Sequence, residues 1–293
     1  MALQQLNFTG NGYSMGHVNL TTESDTFWHF SMDQMAKYDL PAVINFVRNK
    51  TGYKTVGYVG HSQGCAIMFQ LLSTQPEYSE IVKPFISWSP AVFVTHMKSF
   101  IKMAIPFVDF YRKIGKSLDL RGLMNMFTGD DQNSCRVGKS EDACHKFLVQ
   151  IAGPTTHVNH NRVIVYLHYF PAPVSMWQVV HFAQNQQTAT FSHFDYKNES
   201  LNIAEYGTIH APEYPLAKIS PKTKMVIAWG ATDYLVSPED VQHLIQIIKP
   251  VLKDNLIEYK VPSEQFNHLD FVIGVDAGKL LYDQTIGWLD QWA

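Results

Sequence analysis

The spacing of apolar residues changes along the chain, and the changes mark alternating helices and strands. Leu40, Val43, Ile44 and Val47 fall at i, i+3, i+4 and i+7, the spacing of one helix face, and predict a helix over 40–48. Asp39 reads as its N-cap, and Pro41 fits the first turn. After a turn at 49–53, residues 55–59 form a short strand. A sharp turn at 60–64 leads into a helix over about 65–74, and 84–88 reads as another buried strand. From about 91 to 220 the pattern lapses into weakly amphipathic segments rich in Met, aromatic and His residues. Pro106, Gly129, Gly153, Pro154, Pro171 and Pro173 break them. Regularity then returns. Residues 225–229 are a continuous apolar strand of the kind buried on both faces. Ser237 caps a helix that opens on Pro238 and carries the stripe Val241, Leu244, Ile245 and Ile248. A strand over 256–261 and a closing helix over 277–292 complete the series.

Strands alternating with helices predict a mostly parallel sheet flanked by helices. The interruption then reads as an inserted, mainly helical subdomain above the carboxyl ends of the strands. Ligands bind at that edge in open α/β sheets, so the insertion is placed to act as a lid. The expected division is a first core part over 1–90, a cap over 91–220 and a second core part over 221–293.

Composition narrows the partners. Charged residues make up 17% of the chain, against roughly a quarter in a typical domain. That balance suits a lipophilic substrate, although a large core would give similar numbers. The net charge of −3 and the lack of a basic stripe give no reason to expect nucleic-acid binding. No stretch approaches the roughly 18–20 apolar residues of a membrane span. The apolar run over 91–108 comes closest, but Lys98, Lys102 and Pro106 interrupt it, and it reads as an amphipathic or buried helix.

Signals for compartment conflict. Asn7, Asn19, Asn49 and Asn198 each open an Asn-x-Ser/Thr glycosylation signal. Cys135 and Cys144 are close enough in sequence to close a small loop as a disulfide, leaving Cys65 unpaired. The first residues, however, have neither the basic nor the apolar region of a signal peptide. The expectation is a cytosolic protein or a chain that begins partway through a longer precursor.

The strongest candidate chemistry is Gly60-His61-Ser62-Gln63-Gly64. A bare Gly-x-Ser-x-Gly occurs by chance in a chain this long roughly one time in ten. Here it follows a β-branched strand and opens an apolar helix, the setting in which a strained serine projects its hydroxyl. Side chains at Gly60 and Gly64 are expected to clash with the crossing strand and helix. A serine hydroxyl needs a base, and the base an orienting carboxylate, in chain order Ser, acid, His. His268 lies in a loop after the last strand, and Asp233 follows strand 225–229, so both belong to the same edge as Ser62. Asp270, only two residues from His268, is a weaker rival acid, and Asp254 sits at the wrong edge. His157 and His160 lack the supporting ligands of a metal site; no metal is expected.

These residues identify a resemblance. Phe27-Trp28-His29-Phe30-Ser31, the segment from Met35 to Ala42, the Ser62 motif and Asn267-His268-Leu269-Asp270-Phe271 are similar to the acid lipase family of gastric and lysosomal lipases. Asp233 stands where that family's acid belongs, and Cys135/Cys144 and Tyr169-Phe170-Pro171-Ala172 look like features of its lid. The resemblance implies an α/β-hydrolase fold and a secreted or lysosomal enzyme cleaving triacylglycerols or cholesteryl esters at a lipid–water interface, often in acid. It implies no cofactor and leaves the oligomeric state open. It assigns Ser62 as nucleophile, His268 as general base, Asp233 as orienter and the backbone N–H of Gln63 as an oxyanion donor. Cys65 departs from the usual Thr, a change expected to touch packing rather than chemistry. The family's early strands and the His-Gly segment of its second oxyanion donor find no counterpart, so the amino-terminal strands are expected to be missing. A non-catalytic lipid-binding protein and an esterase for small soluble esters are the alternatives.

Overall fold

The structure is a computed structural model that describes residues 4–114, 117–118, 141–163, 165–166 and 172–292. Helix α1 (Leu40–Thr51) leads to β1 (Val56–His61), α2 (Gln63–Thr74) and β2 (Val82–Trp88). The insertion follows with α3 (Val108–Ile114), β3 (Ser117–Leu118), α4 (Glu141–Ala152), β4 (Val174–Ser175), α5 (Met176–Thr188) and α6 (Glu199–Tyr206). The core resumes with β5 (Met225–Trp229), α7 (Pro238–Leu252), β6 (Leu256–Lys260), α8 (Asp270–Ile273) and α9 (Asp283–Trp292).

Among the described residues the main sheet has four strands in the order β1-β2-β5-β6, every pair parallel. Parallel neighbours need crossovers, and α2 and α7 supply two of them. Alternation along the strands divides the core between the two faces. Phe85, Met225 and Ile227 pack with Ile67, Met68 and Leu71 of α2 and with Leu244 and Ile248 of α7. Ile86 and Val226 pack on the other face against Trp288 of α9. Every residue of α2 from Cys65 to Ser73 is buried, which makes this helix the centre of the core. Each large apolar side chain buried there contributes about 1.5–3 kcal/mol. In the outer strand β1, Gly57 and Val59 are exposed.

Two local expectations are corrected. Asp39 is not an N-cap, because the helical path already begins at Met32. Ser31 and Gln34 form a capping box there, and a wide turn over Met35–Asp39 carries the chain into α1. Asp39 instead accepts a hydrogen bond from the Thr9 N–H at 2.9 Å. The run over 91–108 is not an α-helix either. It holds a 3-10 segment, Phe100–Phe107, and the α-helical path starts only at Val108. Pro106 explains the delay, since it has no N–H to donate and disfavours the helical conformation at Ile105. The cap at Ser237 is present as expected, accepting from the Asp240 N–H.

The described part of the insertion adds no strand to the main sheet; β3 and β4 pair only with each other. It has a small core of its own, in which Val108 meets Met176, Val180, Ala183 and Phe194.

Candidate active site

Strand β1 ends at His61, and the chain turns into α2 through Ser62 with φ 54° and ψ −116°. That region is hostile to a residue with a Cβ, and holding one there costs on the order of 1–3 kcal/mol. The surroundings enforce it: the Ser62 N–H donates to the Trp88 carbonyl at 3.0 Å, and the Ser62 carbonyl accepts from the N–H groups of Cys65 and Ala91. Gly60 is required, because a Cβ there would lie 2.9 Å from Tyr58 Cε1 and 3.0 Å from the Cys65 nitrogen. Gly64 is not required for space. Its Cβ would meet nothing nearer than Tyr58 Oη at 3.6 Å, which corrects the expectation of a clash. Gln63 opens α2, so its backbone N–H is among those with no partner inside the helix.

Asp233 and His268 are brought together from their two loops. His268 Nδ1 lies 2.8 Å from Asp233 Oδ2, and both side chains are buried. The other oxygen, Asp233 Oδ1, accepts from the N–H groups of Leu235 and Val236 at 2.9 and 2.8 Å. Asp233 therefore caps its own turn and orients an imidazole at once. No hydrogen bond among the described residues joins Ser62 Oγ to His268; such contacts are often long before substrate binds. The rival Asp270 does not engage His268. Its Oδ2 accepts from the Asn267 N–H, and burial pushes its carboxyl up.

The motif's histidine has a role that its position as the variable residue does not announce. The His61 Nε2–H donates to the His268 carbonyl at 3.0 Å, and the two rings lie 4.7 Å apart. Burial, and then the neighbouring His268, pull His61 down to about 3. A base whose folded value is lowered stabilises the fold above its unfolded value near 6.5 and loses that contribution as pH falls toward the folded one. The expected result is a stability decline of at most ~1.4 kcal/mol per pH unit from this group between about pH 6.5 and 3. His61 is only partly buried, which lowers the real slope. His61→Gln keeps a donor and cannot titrate, so urea unfolding at pH 7 and pH 4 should find a smaller loss in the variant. An equal loss in both proteins would remove His61 as the cause.

Sequence reasoning also missed how far the insertion buttresses the site. The Ala152 carbonyl, at the end of α4, accepts from the N–H groups of Tyr234 and His268. Next to it, Gly153 has φ +105°, and a Cβ there would lie 1.8 Å from the Thr232 carbonyl oxygen. The Asn267 side chain donates to the Gly153 carbonyl, and Thr232 Oγ1 to that of Pro154. Residues 152–154 are thus wedged between the Asp233 and His268 loops. Gln63 reaches the insertion too, its Nε2 donating to Gln178 Oε1 of α5 at 3.0 Å.

The remaining candidates divide. Cys65 is fully buried, donates to the Trp88 carbonyl, and burial pushes its thiol up to about 12. It is a packing residue with no thiolate chemistry. Cys135 and the side chain of Cys144 lie outside the described residues, as does 169–171. His157 pairs with Asp276 Oδ2 and Ser263 Oγ, at 2.9 and 2.8 Å; no metal-binding cluster occurs among the described residues. Asn7, Asn19, Asn49 and Asn198 are all exposed. A cavity of about 240 Å³, lined by Gln184, His193, Asp195 and His210, lies within the insertion and includes none of the Ser62, Asp233 or His268 loops. No described helix is long and apolar enough to cross a membrane.

A parallel sheet that ends in a strained strand–turn–helix serine, with an Asp–His pair at the same edge, defines an α/β hydrolase. The α/β hydrolase fold family matches residues 6–256. Human lipase member K is 34% identical over 98% of this chain and 70% of its own length, and rat gastric triacylglycerol lipase is 34% identical over 97% and 70%. Among solved structures, a soluble variant of the Saccharomyces cerevisiae monoglyceride lipase matches with a TM-score of 0.54 at 14% identity, over 93% of this chain and 74% of that one. The chain belongs to the acid lipase family, and it is an ester hydrolase.

Proposed function

We propose that the chain hydrolyses neutral lipid esters, triacylglycerols or cholesteryl esters, through Ser62, His268 and Asp233. The observation that carries this reading is the 2.8 Å contact between Asp233 and His268 at the sheet edge where Ser62 stands at positive φ. His268 Nε2 takes the hydroxyl proton as Ser62 Oγ attacks the ester carbonyl. The tetrahedral oxyanion is held by the Gln63 N–H. Collapse expels the alcohol, which receives the proton from His268, and leaves an acyl-enzyme. Water, deprotonated by the same nitrogen, then releases the fatty acid and restores Ser62. Asp233 keeps the imidazole oriented and steadies the imidazolium that forms twice in the cycle.

Several features support a lipophilic substrate. A relative is named for triacylglycerol, charged residues are scarce, and Met103, Phe107 and Phe110 of the insertion are exposed. On this reading residues 91–220 form a cap over a core made of 1–90 and 221–293. A secretory or lysosomal route would make the exposed Asn7, Asn19, Asn49 and Asn198 glycan acceptors. The test combines labelling with a chain-length profile. A fluorophosphonate should modify Ser62, located by peptide mass mapping, and turnover should favour triacylglycerol emulsions over p-nitrophenyl acetate. Preference for acetate would point to a small-ester esterase. Lipid binding with no adduct and no turnover would point to a non-catalytic binder.

A further inference from the structure

We propose that Ser89 is a positioning residue for the acid–base pair, fixing the tautomer of His268 through Asp233; this rests on the Ser62–His268–Asp233 reading. Ser89 follows β2 directly, is 1% exposed, and is held by its N–H donating to the Ala228 carbonyl at 2.8 Å. Its hydroxyl completes a triangle with the pair. Ser89 Oγ lies 2.5 Å from Asp233 Oδ2 and 2.9 Å from His268 Nδ1, and Nδ1 lies 2.8 Å from the same Oδ2.

Only one proton arrangement satisfies all three sides. An ionised carboxylate can only accept, so the Ser89 O–H points at Oδ2. The hydroxyl lone pairs are then left to face Nδ1. Nδ1 thus faces two acceptors and must carry the proton, which Oδ2 and Ser89 Oγ share. A bare Nδ1 would set its lone pair against the carboxylate. With the proton fixed on Nδ1, Nε2 is the unprotonated nitrogen, as a general base requires.

The backbone supplies an independent observation. Ser89 has φ +48°, one of five non-glycine residues at positive φ among those described. Glycine would adopt that conformation without a steric cost. A serine there keeps its hydroxyl against Asp233 in spite of the backbone.

The groups that face His268 define what should change when the hydroxyl is removed. They are Asp233 and Ser89, the neutral His61 of β1 and the Ala152 carbonyl from α4; Asp270, in the same loop as His268, is occupied by the Asn267 N–H. Without Ser89, Asp233 Oδ2 loses a donor. Its charge is then less dispersed and draws the imidazolium proton more tightly.

Ser89→Ala and Ser89→Gly should each lower kcat by about tenfold, the scale of one hydrogen bond to a charged group, with KM within about twofold. The acidic limb of the kcat/KM profile should move to higher pH in both, and the low-field proton resonance of His268 Nδ1 should shift. Ser89→Cys, a weaker donor of similar size, should fall between these variants and the wild type, and it stands in for either if they fail to fold. Recovery of the wild-type rate and profile in Ser89→Gly would assign the residue to backbone geometry alone and overturn the proposal. So would variants with unmoved profiles and an unmoved Nδ1 resonance. Failure of the underlying reading looks different: Ser62→Ala would keep full turnover, or the fluorophosphonate would modify another residue.

Discussion

Ser62→Ala is expected to lower kcat by a factor on the order of 10⁴–10⁶ while leaving the fold intact. Removing a catalytic serine leaves only binding and oxyanion contacts to act, and losses of this size follow in enzymes that use the same arrangement. The stability side of the prediction is sharper. Ser62 is held at φ 54° and ψ −116°, and alanine inherits the same strain because it keeps the Cβ. Ser62→Gly removes it. The glycine variant should therefore be as inactive as the alanine one, with a Tm at or above that of the wild type, since relief of strain offsets the entropy glycine adds to the unfolded chain. Ester turnover and calorimetry on the two variants decide it. A glycine variant that melts several degrees below the wild type would mean that the elbow is not strained, and near-wild-type activity in either variant would remove Ser62 from the chemistry.

The outline of the fold was legible because its signals are local. The run Met225–Trp229 is buried on both faces and could only be a central strand. Ser237 and Pro238 announced α7 by capping chemistry, and β1 and α2 flank the serine as the motif requires. Asp233 and His268 could be chosen because each follows a strand, so chain order alone placed them at one edge. Local reading also went astray where a better signal lay upstream. Ser31-Met32-Asp33-Gln34 spells a capping box, yet Asp39 was the more obvious cap beside the apolar stripe. Ser89 had no local signal at all, since its partner Asp233 lies 144 residues away. Gly153 read as a simple break, and only the packing of Thr232 against it reveals that the insertion is wedged between the Asp233 and His268 loops. The capping box apart, what escaped the sequence was contact between segments far apart in the chain.

Asp33 is the largest of these hidden contacts, and Asp33→Ala should cost about 3–5 kcal/mol, the range for stripping one partner from a buried charged network. The side chain is buried in the first turn after Ser31, yet among the described residues the partners of its carboxylate lie in the 181–214 stretch. Oδ1 accepts from Tyr214 Oη at 2.6 Å. Oδ2 accepts from the Phe194 N–H at 2.9 Å and from Tyr206 Oη at 3.2 Å, with His193 Nδ1 at 3.3 Å. Alanine would leave the buried Phe194 N–H and Tyr214 hydroxyl without this acceptor, and each such group carries its own desolvation penalty, whereas Tyr206 keeps the Phe194 carbonyl. A drop of roughly 10 °C in Tm is the expected scale for a chain of this size. Asp33→Asn keeps the volume but presents an NH₂ to a ring of donors, so it should recover only a minor part of the loss. The pH dependence gives a second check. Burial opposes the charge, but His181, His193 and Tyr214 outweigh it and hold the carboxyl below the usual carboxylate range. A carboxylate with a lowered folded value stabilises the fold fully above its unfolded value near 4 and loses that contribution only as pH falls further. The stability gap between wild type and Asp33→Asn should therefore be present at neutral pH and narrow only below about pH 4. Urea titrations at pH 7, 5 and 3 measure it. A gap that is absent at pH 7 would mean that the charge on Asp33 does not tie the start of the core to the insertion.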